Sequence, residues 1–405
     1  MKRHHLAIFT QMGNGHLFPF VGLCTELVAR GYRVTFPATE RYSRNVSAAG
    51  GEVIAFTERP IDTALQAENE RRSRLPLDDP SRFDATELEW TYFVSKNEEI
   101  LAQLIPFYQR DPPDLLLYNR YCFPGRIVAR HVGASTVQVS PHFAYPGATR
   151  YWQNGVSVSP PGIAAYAERM DAFLANHGLE QSGNLWHLED LNVHLIPREF
   201  QYCPELFDDR FMFAGRSIES RNSVALGAGP FRGPTILISG YSGLPETQFS
   251  DASYFKVFID ALGNTDCRCI LSIGDRTSPE SLGALPKNFE LNRYMSNTEL
   301  LPYVNLFACH GGMGSTLEAL YCGVPVLTVP STPYTNEVAY RVADLGVGTS
   351  LSPLQFSTET VRETVISMTG DTELIARTQR MQDAFRSSSG LTAAVSRIDE
   401  KFSHG

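Results

Sequence analysis

The chain has 405 residues, too many for one ordinary core and enough for two α/β domains. Apolar residues make up 43% and charged residues 20%, an ordinary globular balance. A formal charge of −9 and a pI of about 5.6, without a basic stripe, set a nucleic-acid binder aside; an anionic nucleotide would have to be held by local dipoles and donors rather than by overall charge.

The N-terminus has a basic start, Lys2 to His5, followed by the short apolar run Leu6 to Phe9. That run is too brief for a signal-peptide core, and no apolar stretch reaches bilayer length, so a cytoplasmic protein without stable membrane insertion is expected. Leu6 to Phe9 reads as a buried strand. The Gly13-Asn14-Gly15-His16 loop follows, and Pro19 opens a helix that places Leu23, Leu27 and Val28 on one face and stops at Gly31. Tyr32 to Phe36 is the next strand. Strand, glycine-rich loop, helix and strand begin a doubly wound sheet.

Two segments interrupt this pattern. Ile61 to Arg110 carries the charged run Glu68 to Arg74, and Phe143 to Met170 carries Tyr145, Tyr151, Trp152 and Tyr166. Insertions of this kind tend to flank the ligand crevice, although core packing explains each aromatic equally well. Residues 214–233, rich in Gly, Ser and Arg, read as a linker between domains at 1–213 and 234–385. The second unit repeats the first: strand Thr235 to Ser239, loop Gly240 to Gly243, helix Phe249 to Leu262, strand Cys267 to Ile273. A last helix, Asp371 to Ser388, overlaps the start of a tail over 386–405 that is expected to pack back on the first domain. The seven cysteines (24, 122, 203, 267, 269, 309 and 322) fit no zinc spacing and read as free thiols in a reducing compartment.

The most specific signal follows the predicted strand Leu306 to Cys309. His310-Gly311-Gly312-Met313-Gly314-Ser315-Thr316 leads into a helix closed by Gly323 and Pro325. Glycines such as Gly312 and Gly314 let backbone approach a phosphate. The first helical turn offers unpaired N–H groups and the positive dipole end. Ser315 and Thr316 add hydroxyl donors, His310 can donate to a diphosphate oxygen, and Glu318 can accept from ribose hydroxyls. At the other end of the chain, His16 heads the first helix, where an imidazole near neutrality can take a proton from an attacking hydroxyl. Spacing alone slightly favours a solvated loop histidine.

The run His310 to Glu318, with Gly323-Val324-Pro325 and Val329-Pro330 after it, resembles the donor-site signature of the family 1 glycosyltransferases, the bacterial macrolide and natural-product enzymes above all. The resemblance spans Leu6 to about Phe402. It implies a GT-B fold, two Rossmann-like doubly wound α/β domains facing each other across a cleft. It implies an inverting transfer without metal, and the sequence has no Asp-x-Asp pair. The nucleotide-sugar (UDP or dTDP) is then a co-substrate and no resident cofactor is expected. The implied partner is a small hydrophobic, aromatic or polyketide acceptor of secondary metabolism, with the protein a monomer or homodimer.

Carried over position by position, the resemblance makes His16 the catalytic base. It places Ser242 against the phosphates, Tyr294 and Met295 against the nucleobase, and His310, Gly314, Ser315 and Thr316 on the diphosphate, with Glu318 on the ribose. Two departures stand out. The family's Asp that orients the histidine is here Asn119. Either the acceptor is acidic enough to need little help, or another carboxylate reaches in, or the chain is a weak or non-catalytic relative. The family's sugar-gripping acidic-Gln pair is replaced by Tyr334-Thr335, which favours an unusual donor sugar, such as a deoxysugar, over plain glucose unless Asn336 or Glu337 substitutes. The competing readings are a sugar-nucleotide-binding helper protein without turnover and another GT-B enzyme, such as a sugar-nucleotide epimerase. A dinucleotide-dependent dehydrogenase would need Gly-x-Gly-x-x-Gly, and Gly13 to Phe18 lacks the last glycine.

Overall fold

The computed structural model describes residues 4–73, 87–146, 151–153, 155–158, 163–179, 187–215, 232–240, 251–274, 277–293, 296–388 and 390–403. The first half builds one parallel sheet. Its strands are β1 (His5–Phe9), β2 (Arg33–Ala38), β3 (Glu52–Ala55), β4 (Leu115–Asn119), β5 (Ser135–Ser140), β8 (Asn192–His194) and β9 (Phe211–Phe213), in the order β3-β2-β1-β4-β5-β8-β9. A separate antiparallel hairpin is formed by β6 (Tyr151–Gln153) and β7 (Val156–Val158). The helices of this half are α1 (Asn14–Ala29), α2 (Glu40–Ala48), α3 (Thr63–Ser73), α4 (Glu87–Arg110), α5 (Phe123–Val132) and α6 (Ile163–Ala175).

The second half repeats the plan with β10 (Thr235–Ser239), β11 (Arg268–Ser272), β12 (Phe289–Asn292), β13 (Leu306–Cys309), β14 (Val326–Thr328) and β15 (Gly348–Ser350). Their order is β12-β11-β10-β13-β14-β15, again all parallel. Its helices are α7 (Asp251–Leu262), α8 (Asn297–Leu300), α9 (Met313–Tyr321), α10 (Pro333–Asp344), α11 (Thr358–Gly370), α12 (Thr372–Ser387) and α13 (Gly390–Ser403). In both sheets the strand order reverses direction beside the first strand, at β1/β4 and at β10/β13. Crevices outside the carboxyl ends of strands open at such reversals.

The central strands are apolar runs because both faces are covered: every residue of β1, β4 and β13 is buried. Helix α1 starts earlier than Pro19 predicts. Extended Gly13 caps it, and both His16 and Leu17 donate backbone N–H groups to the Gly13 carbonyl, at 3.0 and 2.8 Å. Pro19 sits inside the helix, where it denies a donor to the carbonyl of Gly15, an exposed residue within reach of water.

The segment after α12 is a helix that returns to the first domain. Leu391, Ala394, Val395 and Ile398 of α13 pack into the cluster built on Leu17, Phe20, Leu23 and Leu27 of α1. Arg30 reinforces the seam, donating to Asp399 at 2.6 Å. No described helix is long and apolar enough to cross a membrane. The seven cysteines are free: Cys24, Cys269 and Cys309 are buried and the others half-buried.

Candidate functional site

Three strands of the first sheet deliver polar side chains to one spot. β1 ends at Thr10, and its loop leads to His16 in the first turn of α1. β4 ends on Asn119, which is fully buried, and β5 leads through Ser140 to His142, 4% exposed. Asn119 forms a side-chain turn, its Oδ1 accepting the Tyr121 N–H at 3.0 Å. Its Nδ2 lies 3.2 Å from Thr10 Oγ1 and 3.1 Å from His16 Nδ1. His142 Nε2 approaches the same His16 nitrogen at 3.3 Å. His142 is held from behind by its own N–H to Ser140 Oγ at 3.2 Å and by His194 Nδ1, 2.8 Å from its carbonyl oxygen. Tyr121 stands edge-on to both rings. Burial pushes His16 down to about 4 and His194 to about 3, and holds His142 well below the usual histidine value, so the cluster is neutral at pH 7.

The second sheet supplies the facing wall. After β13 the chain turns through His310 and Gly311, whose φ of +81° and 3.0 Å approach of a would-be Cβ to the Thr335 carbonyl oxygen both demand glycine. Gly312 caps α9 in extended conformation without a side-chain cap, and the first turn carries no acidic residue. The first intrahelical bond runs from Thr316 N to Gly312 O at 3.0 Å. The N–H groups of Met313, Gly314 and Ser315 precede it, so they are the ones an anion can take. A Cβ on Gly312 would stand 2.6 Å from His310 Nε2, which places the imidazole directly over this turn. Burial pushes His310 down to about 4, so the ring offers a neutral N–H.

These distances sort the sequence expectations. His16 and Asn119 meet, as do His310, Gly312, Gly314 and the half-buried Ser315; Glu318 lies half-buried one turn further along α9. Thr316 does not fit its expected role. It is fully buried, its hydroxyl lies beside the Cys309 thiol, and its N–H is spent inside the helix. Thr335 is corrected too. It is 3% exposed, and its hydroxyl accepts the Ser331 and Thr332 N–H groups at 3.1 and 3.0 Å, so it caps α10 and cannot grip a sugar. Asn336 is exposed. Tyr334 crosses the cleft, its hydroxyl 2.7 Å from His142 Nδ1. Ser242, Tyr294, Met295 and most of the linker, 216–231, lie outside the described residues.

Glu337 is likewise no sugar ligand. Its carboxyl is buried between the domains, with Oε2 3.0 Å from the Tyr145 hydroxyl and Oε1 accepting the Trp152 N–H at 3.1 Å. Tyr145 and Trp152 are thus core residues of the domain contact, 4% and 3% exposed. Arg341 extends the contact, donating to the carbonyls of Glu199, Phe200 and Gln201. Burial pushes the Glu337 carboxyl up to about 8 from an ordinary 4.5. The folded protein therefore keeps a proton that the unfolded chain releases above the lower value, and this stabilising difference is lost as pH rises through the higher one. The unfolding temperature is expected to fall from about pH 4.5 to about pH 8 and to level off above it, and to fall less in Glu337→Gln, whose amide reproduces the protonated acid. Calorimetry across that range checks it.

Sequence reasoning missed His142. A lone histidine in Ser140-Pro141-His142 carries no motif, and its position just past a parallel strand was the one available signal.

Comparison with known proteins bears on the same elements. Residues 256–400 match the family described as "Erythromycin biosynthesis protein CIII-like, C-terminal domain". The NDP-glycosyltransferase of Bacillus licheniformis is 29% identical over 416 residues, covering 98% of each chain. The oleandomycin glycosyltransferase of Streptomyces antibioticus is 26% identical, covering 98% of this chain and 90% of its own. Among solved structures, the calicheamicin glycosyltransferase superposes with a TM-score of 0.79 at 26% identity, covering 99% of this chain and 98% of its own.

Proposed function

We propose, from the premise that the chain is a GT-B glycosyltransferase resembling those of bacterial natural products, that it transfers a sugar from UDP or dTDP to a hydroxyl of a small apolar acceptor. The observation that carries the reading is the uncapped first turn of α9, set at the reversal point of the second sheet with His310 over it. In this reading the donor diphosphate lies against the N–H groups of Met313, Gly314 and Ser315, with His310 donating and Glu318 accepting from the ribose. As the bond to the anomeric carbon breaks, charge builds on the diphosphate, where the helix end and these donors stabilise it without reorganising. A single displacement from the opposite face inverts the carbon, and His16 is the side chain beside the incoming oxygen. The donor-side helix end supplies the charge stabilisation that other enzymes draw from a divalent cation.

A panel of UDP- and dTDP-sugars tests this. At least one is expected to bind the purified protein and to hydrolyse slowly without added metal. Binding with the donor left intact in the presence of every acceptor would favour a helper protein instead. Failure of every donor to bind removes the reading.

A further inference from the structure

Asn119 decides where His16 keeps its proton. The Asn119 Oδ1 accepts the Tyr121 N–H at 3.0 Å, so turning the amide over would set two donors face to face. Nδ2 is thereby aimed inward, one hydrogen toward Thr10 Oγ1 and the other toward His16 Nδ1. A ring nitrogen that receives a hydrogen bond bears no proton, and a neutral imidazole then carries it on the other nitrogen. His142 is consistent with this. The Tyr334 O–H donating to His142 Nδ1 at 2.7 Å leaves the His142 Nε2–H to donate to His16 Nδ1 at 3.3 Å. The reverse polarity would set an Asn119 N–H against a His16 N–H. Because burial holds the ring neutral down to about pH 4, its tautomer rather than its charge determines what it offers.

We propose that Asn119 and His142 hold His16 as the Nε2–H tautomer, so that it presents a donor rather than a base to the acceptor, and that the protein glycosylates acidic hydroxyls, phenols above all, that arrive ionised. The acceptor class rests on the transfer reading given above. In the step itself the acceptor oxyanion forms the new C–O bond at the anomeric carbon. The bond from that carbon to the diphosphate oxygen breaks, and its electron pair leaves with the diphosphate. The acceptor's proton has already passed to solvent, and His16 Nε2–H steadies the oxyanion without gaining or losing a proton. His142 and Tyr334 are positioning residues in this scheme. Tyr334 belongs to the second domain, so the His142 contribution is completed only where the cleft is bridged. Exchanging carboxylate for amide behind a catalytic histidine is known to preserve geometry while imposing the wrong tautomer, at a cost of about 10⁴ in turnover.

Nitrogen-15 NMR of the imidazole rings, assigned with His16→Gln, tests the tautomer without reference to activity. The wild-type protein is expected to show His16 protonated on Nε2 and bare on Nδ1, and Asn119→Asp the opposite. A wild-type signal with Nδ1 protonated overturns the proposal. Acceptors graded from nitrophenols to aliphatic alcohols test the class. In the wild type the alcohols should lag the phenols by at least about 10²-fold in kcat/KM, the low end of general-base contributions. Asn119→Asp should narrow that gap at least about tenfold, because the alcohols gain a base and the phenolates lose the Nε2–H that steadies their oxygen. Alcohols and phenols reacting alike in the wild type overturn the acceptor class whether or not the variant folds. If no donor is bound, the transfer reading and the acceptor class fall together, and the ring shifts still decide the tautomer.

Discussion

Replacing Gly312 by valine is expected to lower nucleotide affinity by at least about 10²-fold. A Cβ at this position would lie 2.6 Å from His310 Nε2, well inside contact distance, and valine adds two methyl groups beyond it. The imidazole is displaced from the turn, and the branched side chain stands at the entrance to the Met313, Gly314 and Ser315 N–H groups. Hydrogen bonds to charged groups contribute roughly 1.5–3 kcal/mol each. Losing two of them, about 3 kcal/mol at the low end, corresponds to about two decades of affinity. Titration calorimetry with UDP and dTDP gives the answer. Unchanged dissociation constants would mean that the diphosphate is held elsewhere and that the fold's resemblance has misled at its most specific motif. The change should leave the core intact, because Gly312 is half-exposed and lies outside the apolar clusters.

His16→Ala is expected to reduce kcat by about 10²–10⁴ while the nucleotide dissociation constant stays put, the range associated with a single positioned proton-transfer or charge-stabilising group. The split between turnover and donor binding is diagnostic, because His16 belongs to the first sheet and the glycine turn before α9 to the second. The substitution also strips Asn119 Nδ2 and His142 Nε2 of their shared acceptor, which costs roughly 1–3 kcal/mol for each buried donor left unsatisfied. Initial rates should therefore be read beside an unfolding curve, at a temperature where the variant is fully folded. Undiminished turnover would remove His16 from the chemistry and leave the strand ends of the first sheet without a role. The ring being neutral down to about pH 4 sets the pH profile too. Any acid limb observed above pH 5 with a phenolic acceptor should follow the acceptor's own ionisation.

The local signals were legible where one short segment carries all the physics. β13, the glycine turn and α9 form a contiguous run, and the structure brings His310 over Gly312 within it. The first helix was placed too late, because Pro19 is a strong punctuation mark and the Gly13 carbonyl that nucleates the turn has no side chain to announce it. The two threonines show a different limit. Thr316 and Thr335 stand in sequence where a ligand contact would put them, yet one hydroxyl faces Cys309 and the other is consumed by the cap of α10. A hydroxyl's direction depends on helical phase and on neighbours that motif spacing does not encode.

The two parallel sheets, the glycine-rich helix start and the histidine at the head of α1 are legible locally, because strand runs, turns and helix termini are written in residues adjacent along the chain. What surrounds that histidine is set by long-range packing. Asn119 reaches it across 103 residues and His142 across 126, and Tyr334 joins His142 from the other domain, 192 residues further on. Buried polar groups must find partners, and those partners come from whatever packing brings near, so the proton on His16 is set by residues with no local relation to it.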